Sequence, residues 1–172
     1  YGGYKYIEGR WEQLVKKLIE HYQLQNGCKV LDVGCGKGYL LYDFFKILPD
    51  VKIYGLDISS YALENSKEEI RDKLITGTAT NLPWPDDFFD LVISINTLHC
   101  LYAFDLLQAL KEIERVGKSN KYICVESYRN EKEKANLLYW QVTCEAFNTP
   151  KEWEFWFNKA SYSGDHSFIY FE

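Results

Sequence analysis

The chain has 172 residues, of which 47% are hydrophobic and 26% charged, a composition that fits one globular domain and excludes disordered and fibrous folds. The formal net charge is −5, whereas proteins that hold nucleic acid through its phosphates are usually basic, so we expect no nucleic-acid partner. No apolar run approaches the roughly 20 residues that span a bilayer, so we expect no membrane segment.

The first half of the chain alternates helical patterns with short apolar runs. An i, i+3, i+4, i+7 spacing of apolar residues predicts the first helix, Pro49 stops the second, and Ser59 or Ser60 can cap the third. The predicted elements are a helix over 11–22, a strand over 29–33, a helix over 39–48, a strand over 52–56, a helix from 59 or 60 through 74, and a weak strand over 74–77.

The second half continues the same alternation. Its first run, LVISI, is continuous and β-branched, as expected of a strand that is covered on both faces. Pro150 suits the first turn of a helix. The predicted elements are a strand over 91–95, a helix over 106–117, a strand over 121–126, a helix over 135–146, a helix from 150 to about 160, and a closing strand over 168–171.

Strands that alternate with helices imply right-handed crossovers between parallel strands. We therefore expect a single α/β domain over 1–172, with a Rossmann-like, doubly wound, mostly parallel sheet and helices on both faces. Ligands bind such sheets at the carboxyl ends of the strands, beside the point where the strand order reverses. The residues that follow each strand are therefore the candidate site residues.

A glycine-rich turn, LDVGCGKG, follows the first predicted strand. Gly34, Gly36 and Gly38 let the backbone turn tightly and approach a ligand without Cβ clashes. The helix that follows begins with unbonded N–H groups. The dinucleotide fingerprint GxGxxG would need glycine at position 39, which is Tyr39, and no GK[ST] phosphate loop is present because Gly38 follows Lys37.

An acidic residue ends the second predicted strand. Asp57 stands 21 positions after Gly36, and an acidic residue at this distance can accept hydrogen bonds from ribose hydroxyls. The alternative is a carboxylate that faces the N-terminal dipole of the next helix. The glycine-rich turn favours the ribose role.

These motifs together resemble a known family. The runs VLDVGCGKGYLLYDF, YGLDIS and ATNLPWPDDFFDLVISINTLHCL occur in this order and look like a class I S-adenosylmethionine-dependent methyltransferase. More narrowly, they resemble the branch of small-molecule methyltransferases that includes the ubiquinone-biosynthesis enzymes. The similarity is close over 30–118 and rests on element order elsewhere. It implies S-adenosyl-L-methionine as the cofactor and a small molecule as the methyl acceptor.

The resemblance also implies a place for each part of the cofactor. Asp32 and the backbone of Gly34 and Gly36 would hold its methionine part. The other implied contacts are Asp57 to the ribose diol, Ile58 against the adenine ring, Thr78 and Ala79 along the adenine edge, and Asn96, through its backbone, to the methionyl portion.

Two departures from the family pattern change the expectation. The family often has aspartate where this chain has Thr78, so a hydroxyl or the main chain would replace the usual carboxylate contact to adenine. The family sheet commonly ends in a two-strand hairpin, whereas this sequence offers one closing strand. We therefore expect a simplified C-terminal edge.

Two segments could cover the site. The N-terminal segment 1–26 is expected to form a cap helix, in which Arg10 could pair with the methionyl carboxylate and Tyr4 and Tyr6 could cover it. The alternative places Trp11 on the core face and Arg10 in solvent. The aromatic segment 128–160 is expected to form a helical cap on the acceptor side, although such residues more often serve core packing.

His99 is the leading candidate for a general base. Methyl transfer is an in-line displacement in which positioning of the reactants supplies much of the rate, and a base is needed only if the acceptor must lose a proton. His99 follows the fourth strand on the ligand side, and histidine titrates near neutrality. The alternative is that His99 only orients a loop or fills the pocket. Glu126 and Tyr128 are further candidates at the rim.

The sequence thus predicts methyl transfer to a small molecule, and it leaves open whether oxygen, nitrogen or carbon accepts the methyl group. An NAD-dependent oxidoreductase shares the glycine turn and the acidic residue, but the GxGxG spacing disfavours it. A non-catalytic cofactor-binding partner subunit is the third alternative. The oligomeric state is also open.

The five cysteines, an odd number, include no CxxC pair. Without a visible secretory signal, free thiols in a reducing, cytoplasmic compartment are the simplest interpretation, and we expect no metal site. The chain begins at Tyr1 and contains no methionine, so we expect further residues before Tyr1 in the natural protein.

Overall fold

The computed structural model describes residues 4–140 and 143–172. Two 3-10 segments, Glu68–Lys73 and Leu98–Cys100, accompany six helices and six strands. The helices are α1 (Glu12–His21), α2 (Tyr39–Ile47), α3 (Ser60–Glu64), α4 (Ala103–Val116), α5 (Glu131–Trp140) and α6 (Pro150–Lys159). The strands are β1 (Lys29–Val33), β2 (Lys52–Asp57), β3 (Leu74–Thr76), β4 (Leu91–Ile95), β5 (Lys121–Glu126) and β6 (Asp165–Ile169).

The six strands form one sheet in the order β3-β2-β1-β4-β5-β6. Every neighbouring pair in it is parallel. The chain builds outward from β1 to β3 and then returns to the other side of β1 with β4. The strand order therefore reverses between β1 and β4, which is where a doubly wound sheet binds its ligand. The predicted doubly wound sheet is confirmed.

The C-terminal edge of the sheet is simple, as predicted. β6 pairs in parallel with β5, with Tyr122 opposite Asp165 and Glu126 opposite Ile169. Within the described residues no further strand follows β6 or separates it from β5. A single parallel strand therefore takes the place where the family commonly has a hairpin.

Helices cover both faces of the sheet because successive strand residues point to opposite faces. On one face, Val30, Leu91 and Ile93 pack with apolar residues of α1, α2 and α3. On the other face, Leu31 and Val92 pack with α4 and α6. Both faces are thus buried against apolar helix surfaces.

A partly buried ion pair anchors the long connection between β3 and β4. Glu112 in α4 accepts a hydrogen bond of 2.8 Å from the Leu82 N–H and pairs with Arg115 at 2.7 Å. Arg115 in turn donates to the carbonyls of Leu82 and Trp84 at 3.0 and 2.8 Å. These contacts fix the path of the chain that follows β3, at one side of the candidate site.

Three predicted elements were wrong in extent. The helix predicted from 59 or 60 through 74 ends at Glu64, because Asn65 and Ser66 bond back to the carbonyls of Tyr61 and Leu63 and compete with the helix. The helix predicted over 135–146 is found at Glu131–Trp140. The rest of that prediction is non-helical from 143 onward, and Gln141 and Val142 lie outside the described residues.

The third difference concerns the closing strand, which lies at Asp165–Ile169 and not at 168–171. Two of its polar residues have hydrogen-bonding neighbours in other elements. Tyr22, at the end of α1, donates to Asp165 at 2.9 Å, and the hydroxyls of Tyr122 in β5 and Ser167 lie 2.7 Å apart. His166, which precedes the predicted strand, lies in this strand and packs against Phe157.

Two observations bear on the remaining expectations. All five cysteines are free, as predicted. None of the helices in the described ranges combines the length and the apolar character needed to cross a bilayer.

Candidate functional site

A cavity of about 160 Å³ opens at the carboxyl ends of β1 and β4. It lies at the point where the strand order reverses, as expected for this fold. Its lining combines the end of β1, the glycine turn, the start of α2 and the end of β4. The residues are Trp11, Asp32, Gly34, Cys35, Gly36, Tyr39, Leu40, Ile95 and Asn96. Four predicted cofactor residues, Asp32, Gly34, Gly36 and Asn96, are thus brought together.

The glycine turn has left-handed backbone at Gly34 and Gly36, with φ of 81° and 53°. A Cβ on Gly34 would lie 2.1 Å from the Thr97 Oγ1, whereas a Cβ on Gly36 would meet open space. Gly34 is therefore required by packing as well as by its backbone angle, and Gly36 leaves room for a ligand to approach the backbone.

The N–H groups of this turn already have acceptors inside the protein. The Gly34 and Cys35 N–H groups donate to the Leu56 carbonyl at 2.7 and 3.1 Å, and the Gly36 N–H donates to the Asp57 carboxylate at 2.7 Å. The free N–H groups predicted from the sequence are those of the helix that follows, whereas these three bind β2. The contribution of Gly34 and Gly36 is therefore the shape of the turn.

Asp32 is a buried carboxylate in the cavity wall, with 5% of the residue exposed. Burial, followed by the negative charge of Asp57, raises the pKa of Asp32 from 3.8 to about 7. Within 4–140 and 143–172, no protein group donates a hydrogen bond to it. Burial of a carboxylate without hydrogen-bond donors lowers the stability of the folded protein. A cationic ligand in the cavity would pair with the carboxylate and offset this loss.

Asn96 also lines this cavity and carries an unmatched acceptor. Its backbone is left-handed, with φ of 54°, and its N–H donates to the Cys124 carbonyl at 2.9 Å. Its side-chain Oδ1 is buried and has no hydrogen-bond partner among the described residues. Together with the Asp32 carboxylate, this oxygen fits the α-ammonium group of a methionyl ligand, which donates several hydrogen bonds and carries a positive charge.

Asp57 links the glycine turn to α3. One carboxylate oxygen accepts the Gly36 N–H at 2.7 Å, and the other accepts the Ser59 N–H at 2.9 Å. Ser59 is the predicted N-cap of α3, and its hydroxyl accepts the Ala62 N–H. Asp57 therefore has the helix-start contact that the sequence offered as an alternative, and each oxygen keeps acceptor capacity for a ribose hydroxyl.

The predicted adenine contacts lie beyond Asp57. Ile58 is 81% exposed, an unusual position for a large aliphatic side chain next to a polar turn. Thr78 is exposed, and its hydroxyl lies 2.9 Å from the Thr80 hydroxyl, while Ala79 is buried. These three residues do not line the enclosed cavity, so an adenine ring here would lie at the surface over Ile58.

The N-terminal segment contributes a residue that the sequence analysis assigned only to the core. The Arg10 side chain is exposed and lies outside the cavity, whereas Trp11 lines it. Trp11 immediately precedes α1, whereas the sequence pattern placed it inside the first helix. Tyr4 is 97% exposed, and its carbonyl accepts a hydrogen bond from Lys37 at 2.7 Å.

His99 is fully buried in the 3-10 segment after β4, with 1% of the residue exposed. Its Nε2 lies 3.7 Å from the Glu126 Oε2 at the end of β5, so two of the three candidate bases are neighbours. The His99 carbonyl accepts the N–H groups of Glu145 and Ala146, each at 2.9 Å. His99 does not line the cofactor cavity and is in contact with the segment between α5 and α6.

The segment 128–160 has two parts. Trp153 and Phe157 of α6 belong to the core that faces α4, and the Trp153 indole donates to the Glu126 carbonyl at 3.0 Å. By contrast, Tyr139 and Trp140 at the end of α5 are 89% and 65% exposed. Packing therefore accounts for Trp153 and Phe157 of α6, whereas the end of α5 presents two aromatic side chains at the surface.

No group of three or more His, Cys, Asp and Glu side chains within the described ranges could hold a metal ion.

Comparison with known proteins agrees with this geometry. The family model described as a methyltransferase domain matches residues 24–161. The demethylmenaquinone methyltransferase of Symbiobacterium thermophilum is 34% identical over 128 residues, which is 69% of this chain and 50% of that protein. The mitochondrial arginine-hydroxylase NDUFAF5 of Rattus norvegicus is 40% identical over 89 residues, 51% of this chain and 25% of that protein. The chain thus spans half or less of the length of these relatives.

Solved structures share the fold. The YcgJ protein of Bacillus subtilis superposes with a TM-score of 0.66 and 22% identity, covering 86% of this chain and 67% of that one. The suggested resemblance to class I methyltransferases is confirmed, and with the family match over most of the chain the oxidoreductase alternative is set aside. The chain belongs to the family of methyltransferase domains, which implies S-adenosyl-L-methionine as its cofactor.

Proposed function

We propose that this protein transfers the methyl group of S-adenosyl-L-methionine to a small-molecule acceptor. The observation that carries the proposal is the pair of unmatched acceptors in one cavity at the reversal of strand order. Asp32 there is buried with a pKa raised to about 7, and the Asn96 Oδ1 is buried without a partner in the described part of the chain. A methionyl ammonium group satisfies both.

Each part of the cofactor then has a binding residue. Asp32 and Asn96 hold the methionyl end beside Gly34 and Gly36, Asp57 accepts the ribose hydroxyls, and the adenine lies over Ile58 beside Thr78 and Ala79. When bound, the cofactor supplies an electrophilic methyl group on a good leaving group. The protein's contribution is to hold the acceptor in line with it and to exclude water. Arg10 is less well placed for the methionyl carboxylate, because its side chain is exposed outside the cavity.

The acceptor side is formed by the ends of β4 and β5. His99 and Glu126 are buried there, so His99 could act on an acceptor only when the segment that covers it, between α5 and α6, moves. We keep His99 as the candidate base. In a small acceptor with an acidic proton, the neighbouring Glu126 would stabilise the imidazolium that forms.

A small molecule is favoured over nucleic acid by the net charge of −5. One relative is a demethylmenaquinone methyltransferase, which makes aromatic ring compounds a suitable first set of acceptors to test. The cytoplasmic location expected from the sequence stays a prediction.

Calorimetric titration tests the cofactor assignment. We expect the wild-type protein to bind S-adenosylmethionine and its homocysteine product, and NADH not to bind. Tight NADH binding without a response to either sulfur nucleoside would contradict the proposal. Turnover is then followed as S-adenosylhomocysteine release with hydroxylated aromatic acceptors, and with RNA as the comparison.

A further inference from the structure

Asp43 is a buried carboxylate next to the cofactor cavity that the proposed mechanism does not use. It lies in the middle of α2 with 2% of the residue exposed, in the apolar run YLLYDFFKI. Aspartate is a poor helix former, and a buried carboxylate is unfavourable unless donors satisfy it. Neither the helix nor the core therefore explains an aspartate at this position.

Both oxygens of Asp43 bind one segment, residues 4–11, which we term the strap. The Tyr6 hydroxyl donates to Oδ1, and the Trp11 N–H donates to Oδ2 at 3.2 Å. Burial, followed by the hydrogen bond to Asp43, raises the pKa of Tyr6 to about 12, so the phenol stays protonated and remains the donor at neutral pH. Asp43 thus binds the strap at two points, five residues apart.

Further contacts hold the strap along α2 and the glycine turn. The Tyr6 ring packs edge-on against the rings of Tyr39 and Tyr42, with centroid distances of 5.6 and 5.1 Å. Lys37, inside the glycine turn, donates to the Tyr4 carbonyl at 2.7 Å. The strap is therefore attached to the same two elements that shape the cofactor cavity.

The strap ends at the cavity itself. Trp11, its last residue, and Tyr39, against which Tyr6 packs, both line the cavity that contains Asp32 and Asn96. The hydrogen bond from the Trp11 N–H to Asp43 sets the backbone position from which the indole reaches the cavity. Loss of the Asp43 contacts would release Trp11 from the methionyl end.

We propose that Asp43 is a positioning residue that holds the strap as a lid over the methionyl end of the cofactor, with Trp11 as the covering side chain. This inference rests on the proposed function, because it takes the cavity to be the S-adenosylmethionine site. Lids of this kind exclude water and slow the release of the ligand.

The test compares Tyr6→Phe, which removes one hydrogen bond to Asp43 and keeps the ring, with Tyr42→Phe as its matched control. Tyr42 contacts the same ring but donates to the exposed Glu69 at 3.2 Å and not to Asp43. Affinity is measured by calorimetry for S-adenosylmethionine and for adenosine, which lacks the methionyl part. Asp43→Asn is the second variant, with the melting temperature of each protein recorded.

We expect Tyr6→Phe to weaken S-adenosylmethionine binding about tenfold to hundredfold, the scale for one hydrogen bond to a charged group. Adenosine affinity should change by less than about twofold, because the lid contacts only the methionyl end. Asp43→Asn should act in the same direction, and Tyr42→Phe should leave both affinities unchanged. A purely structural role would lower the melting temperature and weaken both ligands alike, and that result would overturn the inference.

Trypsin cleavage after Lys5 and Arg10, both in the strap, gives an independent readout by mass spectrometry. We expect S-adenosylmethionine to slow these cleavages in the wild type and in Tyr42→Phe, and to lose this effect in Tyr6→Phe. If the wild type binds the cofactor and cleavage stays unchanged, the lid is refuted while the proposed function stands. If the wild type binds no S-adenosylmethionine, both are refuted.

Discussion

The pH dependence of cofactor binding follows from the buried position of Asp32. Its pKa is raised to about 7, first by burial and then by the nearby Asp57. In the proposed mode of binding a methionyl ammonium lies against this carboxylate, so the ionised form of Asp32 is the one that would bind. Affinity should therefore fall as the pH drops through 7, a range in which an ordinary aspartate stays ionised.

The size of the effect follows from the ionised fraction. With a pKa of about 7, Asp32 is half ionised at pH 7 and about one-thirtieth ionised at pH 5.5. We therefore expect S-adenosylmethionine to bind about fifteen-fold more weakly at pH 5.5 than at pH 7, or by about 1.6 kcal/mol. An α-amino group with a pKa near about 7.8 stays mostly protonated in this window, so the carboxylate dominates the change.

Calorimetry in two buffers of different ionisation enthalpy measures this directly. At pH 7, binding should release about half a proton per cofactor, because the ammonium lowers the pKa of Asp32 in the complex. Asp32→Asn should bind weakly and without this pH dependence. Equal affinities at pH 5.5 and pH 7 in the wild type, or the same slope in Asp32→Asn, would refute the assignment.

The same shift affects the free protein. The folded state holds the Asp32 proton to higher pH than the unfolded chain does, so the stability contribution of Asp32 falls as the pH rises from about 4 to 7. At pH 8, Asp32→Asn should therefore raise the melting temperature of the cofactor-free protein. The expected rise is about 2–4 °C for each kcal/mol that the substitution adds to the free energy of unfolding. A lower melting temperature for the variant would contradict the burial argument.

Three further substitutions test other parts of the site. Asp57→Ala should weaken S-adenosylmethionine binding by about 1–3 kcal/mol, the scale for hydrogen bonds to a charged group, and unchanged affinity in calorimetry would remove the ribose assignment. Gly34→Ala should abolish cofactor binding, because the new Cβ lies 2.1 Å from the Thr97 Oγ1 on a left-handed backbone; retention of wild-type affinity would contradict the steric argument. His99→Ala should leave cofactor affinity unchanged and slow turnover, with turnover measured well below the melting temperature of the variant. If the variant turns over the true acceptor at the wild-type rate, the base role is excluded.

The sequence predicted the strands that carry the site better than the elements around them. The strands β1, β4 and β5 have the predicted bounds, because continuous apolar runs buried on both faces leave little choice of structure. The Ser59 cap was also predicted, since its side-chain oxygen acts on the N–H of Ala62 three residues away. Apolar runs and helix caps of this kind can be read from a few neighbouring residues.

The errors occur where distant parts of the chain decide the structure. The chain is not helical over 143–146, the end of the helix predicted over 135–146. There the N–H groups of Glu145 and Ala146 bind the His99 carbonyl, over 40 positions away in the sequence. β6 includes the polar residues Asp165 and Ser167 because Tyr22 and Tyr122 bind them from other elements. No local pattern contains these partners.

In the candidate site, too, the sequence predicted what depends on nearby residues and missed what depends on distant ones. The GxGxG spacing and Asp57 identified the cofactor region, but the role of the N–H groups in the turn was not evident, because their acceptors belong to β2. Trp11 and Asp43 were missed as site residues for the same reason. An aspartate within an apolar helical run was a visible signal for Asp43, but its partners lie more than 30 positions earlier in the chain.

The two hydrogen bonds of Asp57 would make the proposed nucleoside site rigid before any ligand arrives. With Gly36 and Ser59 attached to one carboxylate, the loop after β1 and the start of α3 cannot move apart independently. Entry of the cofactor then requires no rearrangement on this side, and any opening motion is confined to the opposite wall. In the proposed site, exchange of spent cofactor for fresh should accordingly proceed on the side opposite Asp57, while the Asp57 carboxylate keeps its position.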